Sequence, residues 1–552
     1  QVKYPFLSIL IIVLISGCNN SSSDKEQFAL YFCDAEKARA GEFFTDNTYF
    51  LNGQTQSDDF SRSGNFSSKV GGDTKYGIGL KLDNIRPEEL VRAEVWCYGN
   101  DSSKAQFVVQ GDWGLWFANK EIIETDTKGW SKYRLEIYVP DIIDNGTLKI
   151  FTINEHKNPV YFDDLKIERL NEASLYKEIT ALETLELNIS EEIYVDLLNK
   201  RIKAIQRGII LKEEKSFVTA TLKSKEKTNE VSIRFKGDWP DHLNTMKWSF
   251  RIKFDSGEEW NGMQEFSLQA PVTRGYLHEW VYHQLLKQEG VLAPKYGFVN
   301  LKVNGISKGI MAYEEHFSSD FIADNNLPAS VTLKFEEGEM WKVRSTNNGK
   351  DGDVPVFVNS KIECYEAGKM SRDDSLNSYF IEAKKLLTEF KEAKTPVSKI
   401  FNIEQLSKFY ALVDITNAYH SLVWHNNKFY YHPISKKILP IGYDGYGYNG
   451  VYDWIKKANL MEKFNDLPKG ESAMMNMYIN VFDDSLFVDR YKFYLRKYVD
   501  DNFIDGFMKN NLHYIEQMEN KLKQETPYYL YDKNFLKKNA ELIRRAIASN
   551  EN

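Results

Sequence analysis

Tyr133-Arg-Leu-Glu-Ile-Tyr-Val139 alternates apolar and polar side chains along its whole length. Successive side chains of an extended chain point to opposite faces, so this pattern predicts a β-strand with one buried face. The same period recurs around it, in Tyr76-Gly-Ile-Gly-Leu-Lys-Leu82, Arg92-Ala-Glu-Val-Trp-Cys-Tyr98, Ala105-Gln-Phe-Val-Val109 and Thr147-Leu-Lys-Ile-Phe-Thr-Ile153. Turn dipeptides Asn52-Gly53, Gly99-Asn100 and Asn145-Gly146 separate the runs. Residues 28–170 therefore read as an all-β sandwich.

The chain has 552 residues, too many for one ordinary core. With 71 Lys+Arg against 79 Asp+Glu the net charge is −8, and no long basic tract occurs. That balance leaves no electrostatic footprint for nucleic acid or for direct binding to an anionic membrane.

Near the start, Lys3 precedes the apolar run Phe6 to Ile15, then small residues and Cys18. A run this short does not span a bilayer as a helix and reads as a secretory signal. Ile15-Ser16-Gly17-Cys18 resembles a bacterial lipobox, which implies a signal peptide over 1–17, lipidation of Cys18 and anchoring in the cell envelope, at the outer membrane or cell surface. The polar segment 18–27 reads as a tether. Cys33, Cys97 and Cys364 remain, without metal-ligand spacing, so zinc is not expected.

Beyond the sandwich, 171–215 reads as a helical junction. Alternation returns in Glu230-Val-Ser-Ile-Arg-Phe-Lys236 and Trp248-Ser-Phe-Arg-Ile-Lys-Phe254, followed by a helix over Tyr276 to Gln288. Leu376, Phe380, Ala383, Leu387 and Phe390 then step by three and four, one face of a helix. The expectation is a β-rich lobe over 216–369 and an α-helical lobe over 370–552, with long helices at about 403–424 and 471–524.

No Walker A loop, nucleophile elbow, His-Glu-x-x-His or EF-hand loop occurs. What does occur, in order, is Arg234-Phe-Lys-Gly-Asp-Trp-Pro-Asp-His242, Lys247-Trp-Ser-Phe-Arg-Ile-Lys-Phe254, Phe266-Ser-Leu-Gln-Ala-Pro-Val-Thr-Arg274, Tyr313-Glu-Glu-His-Phe317, His425-Asn-Asn-Lys-Phe-Tyr-Tyr-His-Pro433 and Pro440-Ile-Gly-Tyr-Asp-Gly445. The series resembles the CotH (spore coat protein H) kinase family, secreted distant relatives of protein kinases, over roughly 190–510. The resemblance implies an α+β kinase-like domain that uses ATP with Mg²⁺ or Mn²⁺. Phosphoryl transfer needs cations on the phosphates, an acidic partner for the lysine and hard oxygen ligands for the metal. Arg251 and Lys253 are the expected phosphate cations, Glu279 the lysine's partner, and Asn427 and Asp444 the metal ligands. The kinase catalytic aspartate is missing: Leu422 stands five residues before Asn427 and Ser421 five before Asn426. His420 is the candidate general base.

The last sandwich strand, Val160 to Arg169, is similar to the closing strand of jelly-roll carbohydrate-binding modules. Trp113 and Trp116 are candidate glycan-stacking residues, beside Tyr98 and Trp130. Asp34, Glu36 and Asp163 are candidate ligands for a structural Ca²⁺. The expected activity is transfer of phosphate from ATP to an extracytoplasmic protein or glycan; the alternative is a non-catalytic, glycan-binding pseudokinase.

Overall fold

The computed structural model describes residues 27–550 apart from 46–47, 88, 100–104, 113–114, 120–121, 140–144, 172–175, 177–178, 226, 244, 256, 347–352, 448–472 and 528. The expected signal peptide, the lipidation site Cys18, the tether up to residue 26 and Trp113 lie outside the described residues.

The first unit is an antiparallel sandwich. Its larger sheet pairs Val160–Asn171 with Glu89–Tyr98 and Gln27–Cys33, and its smaller sheet runs Trp116–Asn119, Gln106–Gly111, Gly146–Ile153, Tyr76–Ile85. Inward-pointing residues of both sheets, among them Ile78, Leu80, Val95, Phe107, Val109, Leu135 and Ile150, make the core. Cys33 and Cys97 are buried there as free thiols, and burial pushes the Cys33 thiol up to about 12. The alternating sequence produces this layering directly, because each strand offers one apolar face.

The second unit begins earlier than the sequence suggests. Thr184–Asn188, inside the segment expected to be a helical junction, pairs antiparallel with Val218–Ser224 and parallel with Tyr296–Val303, and thereby closes a seven-stranded barrel. The helix Glu191–Arg207 follows, capped by Ser190 and ended by Gly208 at φ +79°. Ile233, Phe250, Ile252, Phe266 and Leu268 fill the barrel, while Arg234 and Arg251 point outward.

A further four-stranded sheet, Ile362–Cys364, Thr332–Phe335, Lys428–His432 and Lys437–Ile441, draws strands from both sides of the expected boundary at 369/370. The segment 370–552 is therefore not purely helical. The helix expected over 403–424 stops at Thr416, where Asn417 takes φ +55°, and two 3-10 turns follow, Tyr419–Leu422 and Trp424–Asn426. The region 471–524 divides into Ala473–Phe482, Ser485–Tyr498 and Asp501–Glu525, with Asp484 and Asp500 capping the last two. Among the described residues no helix is long and apolar enough to cross a membrane.

Candidate functional site

A cleft of about 920 Å³ lies between the outer face of the barrel, the small sheet and the 3-10 turns. The barrel supplies cations. Arg234 and Arg251 occupy opposite positions on adjacent antiparallel strands, on the face that looks into the cleft. Burial, and then the neighbouring Arg251 charge, pull Arg234 down to about 10. The Arg251 Nε is buried without a hydrogen-bond acceptor. Like charges opposed across a strand pair destabilise a sheet, so the arrangement suits an anion. At the strand end Lys236 is buried, its Nζ donating to Glu314 Oε2 at 2.6 Å and Gln269 Oε1 at 2.8 Å. Burial pulls its ammonium down to about 8, with Glu314 opposing and Arg274 and Arg251 adding to the drop. Gly237 follows at φ +94°, and a Cβ there would run into the His242 ring. The turn Gly237-Asp-Trp-Pro-Asp-His242 thus folds tightly against the cleft, where burial raises Asp241 to about 7 and leaves its Oδ1 without a partner.

The opposite wall carries the acid and the imidazole. Asp444, at φ +56°, is buried, with Oδ1 lying 2.7 Å from Arg274 Nε and 3.1 Å from His420 Nδ1. Burial opposes its ionisation, yet Arg274 and His420 together hold the carboxyl well below the usual range. The Arg274 contact is ionic, since its Nε–H lacks an aligned acceptor. The His420 Nδ1 faces two acceptors, Asp444 Oδ1 and the Asp444 carbonyl at 3.0 Å. The Asn426 amide nitrogen also lies 3.2 Å from Nδ1, but the two oxygens there favour a proton on Nδ1, which leaves the lone pair on Nε2. The Asn426 amide donates to the His420 carbonyl at 3.0 Å.

Residues 233–549 match the family model described as CotH kinase protein. The chain belongs to the CotH kinase protein family. No curated protein matches it. Solved structures similar to it include a Family 16 Carbohydrate Binding Module-2, at 17% identity over 20% of this chain and 82% of that chain with TM-score 0.17. Another is the CBM22-1 xylan-binding domain from Paenibacillus barcinonensis Xyn10C, at 14% identity over 27% and 98% with TM-score 0.19. A third is the Clostridium thermocellum Xyn10B CBM22-1-GH10 structure with xylohexaose, at 15% identity over 31% and 35% with TM-score 0.17.

Within the CotH kinase domain, Arg251, His420 and Asp444 line the cleft, and three other expected roles need correction. Lys253 is exposed and does not line the cleft; Lys236, two residues beyond Arg234, takes the buried position. Glu279 is fully buried on the helix Leu277–Gln288, but it pairs with His283 Nε2 at 3.0 Å and accepts the backbone N–H groups of Gly445 and Tyr446 at 3.1 Å. It grips the chain just after Asp444, while Lys236 pairs with Glu314. Asn427 turns its amide to the Leu422 and Val423 carbonyls, at 3.2 and 2.9 Å, and Asn426 lines the cleft in its place. Arg274 closes the quoted run Phe266 to Arg274 without a role assigned to it; it sits at the end of a 3-10 turn, and its role appears only from the Asp444 carboxylate it meets.

In the sandwich, Asp34, Glu36 and Asp163 do not converge as a three-ligand cluster. Asp163 accepts from the backbone N–H groups of Arg62, Ser63 and Asp164, and Glu36 from those of Asn65 and Phe66, so the carboxylates fasten a loop. Trp130 is buried beneath Tyr98, whereas Trp116 is 58% exposed.

Proposed function

We propose that the cleft binds a nucleoside triphosphate and that the CotH kinase domain transfers its terminal phosphoryl group to an extracytoplasmic hydroxyl acceptor. The opposed pair Arg234 and Arg251 carries this reading: two guanidiniums share one cleft face, one with an unpartnered Nε, across from an ionised carboxylate and an imidazole. Arg234 and Arg251 bind the phosphate oxygens. Lys236, neutralised in part by Glu314, adds a third cation behind them. His420 takes the acceptor proton on Nε2, and Asp444 fixes its tautomer through Nδ1.

The donor set also fits a divalent cation. Asp444 stays ionised and Asn426 lines the same cleft, and a carboxylate and an amide oxygen are the kind of hard donors that Mg²⁺ or Mn²⁺ takes together with phosphate. Such an ion supplies charge neutralisation on the phosphates. One observation favours a second reading, a nucleotide-binding protein that transfers nothing. Arg274 already rests against the Asp444 carboxylate, in the place a metal ion would share.

Isothermal titration with ATP, with and without Mg²⁺, and transfer of label from γ-³²P-ATP decide between them. Metal-dependent binding with transfer supports the kinase reading. Metal-independent binding without transfer supports the second, and no binding removes both. We further propose anchorage to the envelope through lipid on Cys18; loss of Cys18→Ser protein from washed membranes is the expected result.

A further inference from the structure

The outer face of the small sandwich sheet is not a plain polar surface. Trp116, Gln110 and Lys149 form one cross-strand row, and Val108 and Phe151 lie in the next. Gly79, opposite Phe151, leaves room for that ring; a Cβ there would strike the Phe151 side chain. Trp116 lies edge-on to Phe151 at 6.0 Å between ring centroids, and Tyr76 meets Phe151 from the other side at 5.8 Å. Trp116 is 58% and Tyr76 51% exposed. Gln110 and Lys149 are exposed beside them, with Lys149 Nζ over the Phe151 ring at 5.4 Å. Exposed ring faces bordered by an amide and an ammonium match the surface of a sugar chain, which offers apolar ring faces edged by hydroxyls.

One end of this strip reaches the catalytic unit. Leu115 and Trp116 line the same cleft as Arg251, His420 and Asp444. The two units are joined there by packing as well as by chain: Tyr176 lies against Leu90 and Leu170 of the sandwich and Met246 of the second unit, with Lys247 Nζ 4.6 Å from its ring centroid.

We propose that the phosphoryl acceptor is a carbohydrate chain seated along Tyr76 and Trp116, over the buried Phe151 ring that both of them touch, with one of its hydroxyls delivered into the cleft past Trp116. The inference rests on the phosphotransferase reading of the cleft. The sugar oxygen attacks the terminal phosphorus of the nucleotide, and the new P–O bond forms as the bond to the bridging oxygen breaks. The hydroxyl proton passes to His420 Nε2, and the nucleoside diphosphate leaves.

The test uses the full chain in affinity gels containing xylan, mixed-linkage β-glucan, galactomannan or pectin, followed by incubation of the retained polysaccharide with γ-³²P-ATP. The expected result is retardation by at least one polysaccharide and label in that polysaccharide. Trp116→Ala and Tyr76→Ala should each weaken retardation about tenfold, as expected for loss of a large aromatic contact, while Trp116→Phe restores most of it. Retardation by none of the four, retardation indifferent to both alanine variants, or label confined to protein would overturn the proposal. Wild-type nucleotide binding, titrated in parallel, separates the two levels. Its absence removes the phosphotransferase reading, whereas its presence with unlabelled glycan removes only the acceptor assignment.

Discussion

Arg234 and Arg251 stand directly opposite each other on neighbouring antiparallel strands, both facing a cleft. Their repulsion is a cost the empty fold carries and a bound anion removes. Replacing Arg251 by Gln should change the unliganded stability little, because relief of a like-charge cross-strand pair, about 0.2–1 kcal/mol, offsets loss of its contact to Glu265 at 3.4 Å. Nucleotide affinity should fall by roughly tenfold or more, the scale of one charge-assisted hydrogen bond. A melt of the free protein beside a titration checks both; a large loss of stability with unchanged affinity would make Arg251 a structural residue.

The buried pair Arg274 and Asp444 gives a second expectation. Asp444→Asn strands the Arg274 charge and should destabilise the protein by roughly 3 kcal/mol, the usual scale for breaking one side of a buried pair. The folded carboxyl titrates well below the ordinary aspartate value near 3.9, so its contribution is fully present above that pH and is lost as pH falls toward the folded value. The stability gap between wild type and variant should therefore be flat above about pH 5 and narrow below pH 4. Urea melts across that range measure it.

Lys236 predicts two pH dependences of opposite sign. Burial lowers its ammonium to about 8, so the fold bears the cost of the charged form below that pH and is relieved of it as pH rises toward the unfolded value near 10.4. Anion binding, which needs the charge, weakens over the same rise. Affinity for ATP should drop between about pH 7 and 9, and Lys236→Met should flatten most of that drop. Lys428, likewise lowered to about 8 by burial and lining the same cleft, accounts for any residual slope.

The strand Thr184–Asn188 supplies two ladders of the barrel. A fragment beginning at residue 179 should melt cooperatively, whereas one beginning at 216 should melt broadly and bind a hydrophobic dye, because losing the strand leaves two open edges and uncovers interior residues such as Leu222 and Leu301, beside which Leu187 and Leu185 pack. Equal cooperativity of the two fragments would show the strand to be dispensable.

Much of this architecture is written locally. Period-two alternation marked the sandwich and most barrel strands, since half-buried strands print their two faces into the sequence. Thr184-Leu-Glu-Leu-Asn188 escaped because it is short and its parallel partner lies more than a hundred residues on, so no local pattern points to it. At the site, Arg251 and Asp444 stand in the quoted motifs and His420 was singled out by the missing aspartate; all three line the cleft. Asn426 was not distinguishable from Asn427, because in a tight 3-10 turn adjacent side chains diverge and only the tertiary fold selects one. Arg274 and Lys236 stand in the quoted motifs, but their partners, Asp444 and Glu314, lie far away in sequence, and that pairing is information a linear reading lacks.

Lys247 pairs with Glu525 at 2.5 Å inside the protein, and the same carboxylate accepts the Ile310 N–H at 2.6 Å. The barrel's first strand thus waits on residues near 300, and the barrel's flank waits on a carboxylate near the end of the chain. During synthesis the second unit cannot lock until Glu525 has emerged. Products cut short before Glu525 would leave Lys247 without its counter-charge, and quality-control proteases would meet them as open, cleavable chains rather than as closed units.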